Sequence, residues 1–226
     1  MTRAPGARVS VVVPVRDGAR HLGAALDSVL AQGDRVGEIV VVDDGSSDDS
    51  VAVARSRGPL VRVIAQPPSG VGPARNRGAA AASHPLLAFL DADDLWPDDR
   101  LAGLCAVLEA APELDAVFGL VEEFFTPELD AAVAATMRCK PLGAAMLPGG
   151  MLIWRDAFAR HAGFAARGAE FVAWFVGARD GGLRWRVLDT LVLRRRLHDR
   201  NRARVDPRVA ADYLRIARER VAGRRP

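Results

Sequence analysis

Beyond a short polar start, the chain enters an almost unbroken β-branched run, Val9-Ser10-Val11-Val12-Val13-Pro14-Val15. The period then changes. From His21 to Gln32, Leu22, Ala25, Leu26, Val29 and Leu30 fall on one helical face. The same alternation returns with Glu38-Ile39-Val40-Val41-Val42, which runs into Asp43-Asp44-Gly45-Ser46-Ser47-Asp48-Asp49-Ser50 and predicts a strand, a turn and a capped helix through about Arg57. Leu60–Ile64 predicts a third strand, Gly72–Ala82 an alanine-rich helix with Pro73 in its first turn, and Leu86–Leu90 a fourth strand. A helix opened by Pro97, with Leu101, Leu104, Val107 and Leu108 on one side, and a strand over 116–121 continue the series. Strands without inside–outside alternation, separated by helices, predict an α/β fold in which a mostly parallel, Rossmann-like sheet is covered on both faces.

The pattern weakens from Glu122 to Pro148, where Pro127, Pro141 and Pro148 interrupt it and a helix or loop on the acceptor side is expected. It recovers at Gly149-Gly150, a turn entering a strand, then in a helix over 170–179 and in one or two strands over 185–196. A final helix from about Pro207 to Val221 completes the series. The expected organisation is one domain over 1–200, made of a nucleotide-binding half (1–121) and an acceptor half (122–200), with a basic C-terminal helix over 201–226.

Composition narrows the class. Of 226 residues, 50% are hydrophobic and 26% charged, a globular balance rather than a disordered or membrane-spanning one. No signal peptide or spanning segment is read, and Cys105 and Cys139 lack the spacing of a metal site or disulfide framework, so a cytoplasmic setting is expected. The net charge is only +3, but the stretch from Arg184 onward holds 14 arginines against five acidic residues. Without a nucleic-acid motif, that end points to an anionic surface, such as peripheral contact with a membrane, rather than to nucleic acid.

Chemistry gathers where strands end. Asp91-Ala92-Asp93-Asp94 follows the fourth strand with no basic residue among its acids, so the carboxylates repel one another unless a cation or donors compensate. Mg²⁺ or Mn²⁺ suits such a set, since a hard cation takes one or two carboxylates and fills its shell with phosphate oxygens. Helix capping is the ordinary alternative, above all for Asp94. Asp43-Asp44 stands at the same edge of the sheet, suited to a nucleoside, where open α/β sheets bind ligands. Gly72 offers close backbone approach, and Arg75 and Arg77 offer phosphate or base contacts.

The ordered set Val11-Val12-Val13-Pro14-Val15-Arg16-Asp17, Val40-Val41-Val42-Asp43-Asp44-Gly45-Ser46, Gly72-Pro73-Ala74-Arg75-Asn76-Arg77-Gly78 and Leu90-Asp91-Ala92-Asp93-Asp94 resembles the family-two inverting glycosyltransferases of GT-A fold. The resemblance implies a nucleotide-sugar donor, expected to be a UDP-sugar, and an acceptor that is a small molecule, lipid-linked or a peptide. Pro14 and Asp17 would border the nucleotide, Asp43 and Arg75 hold its base, Asp91 its ribose and Asp93 the metal. Asp44 and Gly72 are assigned to the same donor site. Relatives open a helix with an acidic pair whose second member is the general base; the pair here reads Ala169-Glu170, which makes Glu170 the base and leaves the first acid missing. Arg196-Leu197-His198 matches an R-x-H that reaches metal or diphosphate in relatives, giving Arg196 a diphosphate role and His198 a metal role. His21, His84 and His161 receive no role. Nucleotidyl transfer is disfavoured, because no glycine-rich loop with a lysine follows the first strand. The missing acid leaves one competing reading, a nucleotide-sugar-binding protein without catalysis.

Overall fold

The computed structural model describes residues 3, 5–166 and 169–199. The helix expected near the C-terminus and the basic extension lie outside them. Strand β1 (Val9–Val15) is buried along its whole length, as a run of β-branched residues covered on both faces must be. Helix α1 (Ala19–Leu30) lays Leu22, Ala25, Leu26 and Val29 on the sheet, each worth about 1–3 kcal/mol of burial for its apolar side chain, least for alanine. Then follow β2 (Val36–Asp43), α2 (Ser50–Arg55), β3 (Val61–Ala65), α3 (Val71–Ala81), β4 (Leu86–Phe89), α4 (Arg100–Ala110) and β5 (Ala116–Phe125). The weakly patterned stretch holds the short α5 (Ala131–Ala135) and β6 (Gly143–Ala144); a single 3₁₀ turn at Pro148–Gly150 then enters β7 (Leu152–Trp154). Helices α6 (Arg155–Ala159) and α7 (Glu170–Asp180) precede β8 (Trp185–Leu197), which is one strand of 13 residues.

The sheet runs β3-β2-β1-β4-β7-β5-β6, with β8 paired to β5. Strands β1 to β4 are mutually parallel; β7 runs against both β4 and β5, and β8 is parallel to β5. Two reversals restore direction, so β5 and β8 end at the same edge as β1, β2 and β4. That polarity decides where the site lies. Helix α3 sits unusually close to β1, because a Cβ on Gly78 would come within 2.3 Å of Val12 Cγ1.

Two sequence expectations shift. The helix expected from Pro97 starts at Arg100, after Asp99 in a left-handed conformation (φ 56°), and β5 runs four residues past the expected Val121 because β8 pairs with its whole length. Trp154 and Trp185 are packing residues: Trp154 is buried, and Trp185 stands edge-on to Phe118 and Phe175.

Candidate active site

The carboxyl edge is built from interlocked turns. Asp17, just past β1, adopts φ 50°, and its Oδ1 accepts from the backbone N–H of Ser47 (2.7 Å) and from the Ser47 hydroxyl (3.0 Å). Those bonds lower the Asp17 pKa. Ser46 Oγ accepts from Asp17 N–H in return, and Asp48 accepts from Ala19 N–H, so the turns after β1 and β2 hold each other. Pro14 is buried in β1 opposite Val42, and Asp43 closes its own turn by accepting from Ser46 N–H at 3.0 Å. Asp44 is buried and accepts from Gln66 Nε2, Ser69 N–H and Gly70 N–H, each at 2.8 Å. Its carboxylate organises the loop before α3. Gly72 provides close approach to protein backbone: a Cβ there would lie 2.0 Å from the carbonyl oxygen of Ala165.

The acidic motif divides into three roles. Asp91 Oδ1 accepts from Arg75 Nη2 at 2.5 Å, and Asp93 Oδ2 lies 2.8 Å from His198 Nε2. Asp94 is buried and accepts from the backbone N–H of Arg196 at 2.9 Å. Burial first, and the charges of Asp93 and Asp91 next, push its carboxyl well above the usual range. Asp94 is therefore not the helix cap allowed for by the sequence, since α4 starts six residues later; it fastens the motif to β8. A bridge between Leu95 and Arg194 extends the same seam.

Arg196 turns its guanidinium toward the motif, donating from Nε to the Asp93 carbonyl at 2.9 Å, with the group 4.9 Å from the Phe124 ring. Its neighbours along β8 pair in register with β5, Arg194 with Glu122 (2.8 Å) and Arg195 with Glu123 (3.0 Å). Glu170, the first residue of α7, accepts from Arg75 Nη1 at 3.0 Å. Glu170, Asp91, Asp94 and Arg75 line one cleft of about 130 Å³, bounded on its other side by Met146 to Gly149 and by Leu193 and Arg195.

Sequence reasoning passed over His21. Its ring lies 5.2 Å from that of His198, and burial first, then the charges of Arg196, His198 and Arg20, lowers its pKa. The available signal was its place, one turn into the helix that follows Asp17. Arg100 was also missed. Fully buried, it stacks on Trp96 at 3.9 Å and donates to the carbonyls of Val192, Gly149 and Met151, so it pins the turn beside the cleft to β8.

Interlocked turns at the carboxyl edge, an acidic motif after β4 and a mixed β7–β5–β8 extension are the features of a GT-A fold. The chain belongs to glycosyl transferase family 2, whose family model matches residues 10–148. It is 39% identical over 108 residues to an uncharacterized glycosyltransferase of Nostoc sp. (strain PCC 7120), covering 46% of this chain and 34% of that one. It is 37% identical over 108 residues to the succinoglycan biosynthesis protein ExoU of Rhizobium meliloti, covering 46% and 31%. The chain thus spans about a third of the length of these curated relatives. Among solved structures, the mannosyltransferase PcManGT of Pyrobaculum calidifontis, in complex with GDP-Man and Mn²⁺, superposes with a TM-score of 0.69 at 21% identity over 97% of this chain and 66% of that one. S. aureus TarS 1-349 in complex with UDP-GlcNAc gives 0.67 at 16% identity over 88% and 61%.

Proposed function

We propose that this glycosyltransferase is inverting and metal-assisted, moving a sugar from a nucleotide-sugar donor, a UDP-sugar by expectation, to an acceptor hydroxyl with Glu170 as general base. The observation that carries the reading is the convergence of Asp91 and Glu170 on one cleft, with Asp93 and His198 paired beside it. The donor half supplies Pro14, Asp17 and Asp43 as the rim of the nucleotide pocket, while Asp44 and Gly72 serve it by shaping the loop and helix beneath. Neighbours of the same fold bind UDP-GlcNAc and GDP-Man.

Among the described residues no group of three or more His, Cys, Asp or Glu side chains is arranged to hold a metal ion. Asp93 and His198 nevertheless fit one: a carboxylate oxygen and an imidazole nitrogen 2.8 Å apart offer two ligands, and Mg²⁺ or Mn²⁺ characteristically takes the rest from phosphate and water. When bound, the cation stabilises charge on the departing nucleoside diphosphate. Arg196, held against the Asp93 backbone, brings positive charge to the same place. Glu170 accepts the proton of the acceptor hydroxyl as that oxygen attacks the anomeric carbon from the face opposite the diphosphate. Its place at the start of α7 sets it beside Arg75, whose Nη1 donates to its carboxylate.

Ala169 stands where relatives carry an acid, which favours one competing reading, donor binding without transfer. Donor affinity and hydrolysis across a panel of UDP- and GDP-sugars, with and without Mn²⁺, test the enzyme reading. Turnover that requires metal and is lost in Glu170→Gln with donor binding retained supports it. Metal-dependent binding with no turnover of any sugar supports the binding protein. For residues 201–226 we propose that their basic sequence docks on an anionic surface, tested by salt-sensitive binding to anionic vesicles.

A further inference from the structure

Three charged side chains from three separate elements meet beneath the cleft: Arg75 from α3, Asp91 after β4 and Glu170 at the head of α7. The Arg75 side chain is only 3% exposed. Its Nη2 donates to Asp91 Oδ1 at 2.5 Å, its Nη1 to Glu170 Oε1 at 3.0 Å, and its Nε is buried without a partner. The Phe164 ring backs the guanidinium at 5.8 Å. The family resemblance gives this arginine to the nucleotide base. A guanidinium enclosed in this way, with both terminal nitrogens on carboxylates, has little surface left for a base. What it does instead is span the donor-side acid and the general base.

The same helix also holds the segment that delivers Glu170. Asn76, next along α3, bonds Phe164 in both directions: Nδ2 donates to the Phe164 carbonyl and Oδ1 accepts from its N–H, each at 2.8 Å. Gly72, one turn earlier, leaves room for the Ala165 carbonyl. Helix α3 thus fixes the backbone at Phe164 and Ala165 while Arg75 fixes the Glu170 side chain. Two carboxylates so placed would repel each other without the cation.

We propose that Arg75 is a positioning residue that acts through Glu170, aiming that carboxylate into the cleft and tying its aim to Asp91 on the donor side. The proposal rests on the reading of Glu170 as general base. Donor contacts that draw on Asp91 and the group that takes the acceptor's proton then share one cation, so donor occupancy and base geometry are linked through a single side chain.

Arg75→Lys tests this, because an ammonium keeps the charge but cannot bridge two carboxylates in one plane. The readouts are donor Kd by calorimetry, and kcat and KM for hydrolysis of whichever UDP- or GDP-sugar the wild type turns over with Mn²⁺. The expected result is a fall in kcat of roughly 10- to 100-fold, the scale of a misplaced catalytic group, with donor Kd within about threefold of wild type. In the Glu170→Gln background the same substitution should cost no further turnover, as two residues acting as a unit require. Should Arg75→Lys not fold, Phe164→Leu, which keeps all three charges and removes the ring behind the guanidinium, carries the comparison with the same split expected. A donor Kd that weakens as much as kcat/KM falls, with kcat preserved, overturns the proposal in favour of a direct nucleotide contact; so do losses that multiply in the double variant. If Glu170→Gln abolishes turnover while Arg75→Lys leaves kcat at the wild-type value, the positioning role falls alone. If the wild type turns over no donor, or Glu170→Gln keeps full turnover, the base assignment falls and the positioning role falls with it.

Discussion

His198 Nε2 lies 2.8 Å from Asp93 Oδ2, although 105 residues separate the two along the chain. A cation held by both side chains, as proposed above, would take the place of that hydrogen bond. Mn²⁺ added with a nucleoside diphosphate should raise the melting temperature of the wild type. Asp93→Asn and His198→Ala should each weaken that metal-dependent shift at least about tenfold in the Mn²⁺ concentration needed. A thermal-shift titration with and without UDP reads this directly, and an unchanged Mn²⁺ midpoint in both variants would exclude the pair as ligands.

Gly72→Ala should cost about 1–3 kcal/mol, since the added methyl has only 2.0 Å to the Ala165 carbonyl oxygen and one backbone must move. Ala165 adjoins Phe164, which Asn76 holds and which backs the Arg75 guanidinium, so turnover should fall further than donor affinity. Gly103→Ala on α4 is the control. Nothing lies within 4 Å of its added methyl, and the helix gains up to about 1 kcal/mol. Urea denaturation and donor hydrolysis on both variants check the contrast.

Arg100→Met should destabilise the domain by about 3 kcal/mol. Three buried carbonyls, those of Val192, Gly149 and Met151, lose their donor, and unpaired buried acceptors cost about 1–3 kcal/mol each before relaxation. Chemical denaturation measures the loss. A change below about 1 kcal/mol would mean that water or other donors replace the guanidinium.

Acid stability should depend on Asp115, far from the cleft. Burial alone would raise its pKa, but hydrogen bonds from Arg3, the Arg184 backbone and Arg160 outweigh that and bring it down to about 2. A carboxyl whose folded-state pKa is depressed stabilises the fold above its ordinary pKa near 4 and loses that contribution as pH falls toward 2. The amount is about 2 kcal/mol. Asp115→Asn should therefore be less stable at pH 6 and show a smaller further loss between pH 5 and pH 2 than the wild type does, measured by urea unfolding at each pH.

The first half of the chain was legible because its signals are local. Val9–Val15 is β-branched throughout and buried throughout, and each acidic turn follows its own strand directly in sequence. Arg75 and Asp44 could be picked out as charged residues near the ligand edge, but their burial and partners could not, because those partners come from other loops and from α7. Asp94 read as a helix cap for the same reason: its donor is the backbone of Arg196, on a strand whose position depends on pairing with β5. Register between β5 and β8 leaves no local trace, so neither the length of β8 nor the approach of His21 to His198 could be derived from spacing.

The direction of β5 bears on how such a domain diversifies. Because β5 ends at the ligand edge, residues 126–142 leave the sheet there and return through β6 and the Pro148–Gly150 turn, which borders the cleft. Insertions or deletions in that excursion change neither the Asp93–His198 pair nor the Arg75 clamp, all of which are fastened to other elements. Loop length at this one point is thus a variable that can re-shape the cleft beside Glu170 while the Asp93–His198 pair and the Arg75 clamp stay fixed; on the function proposed above, one donor site would be matched to new acceptors without being rebuilt.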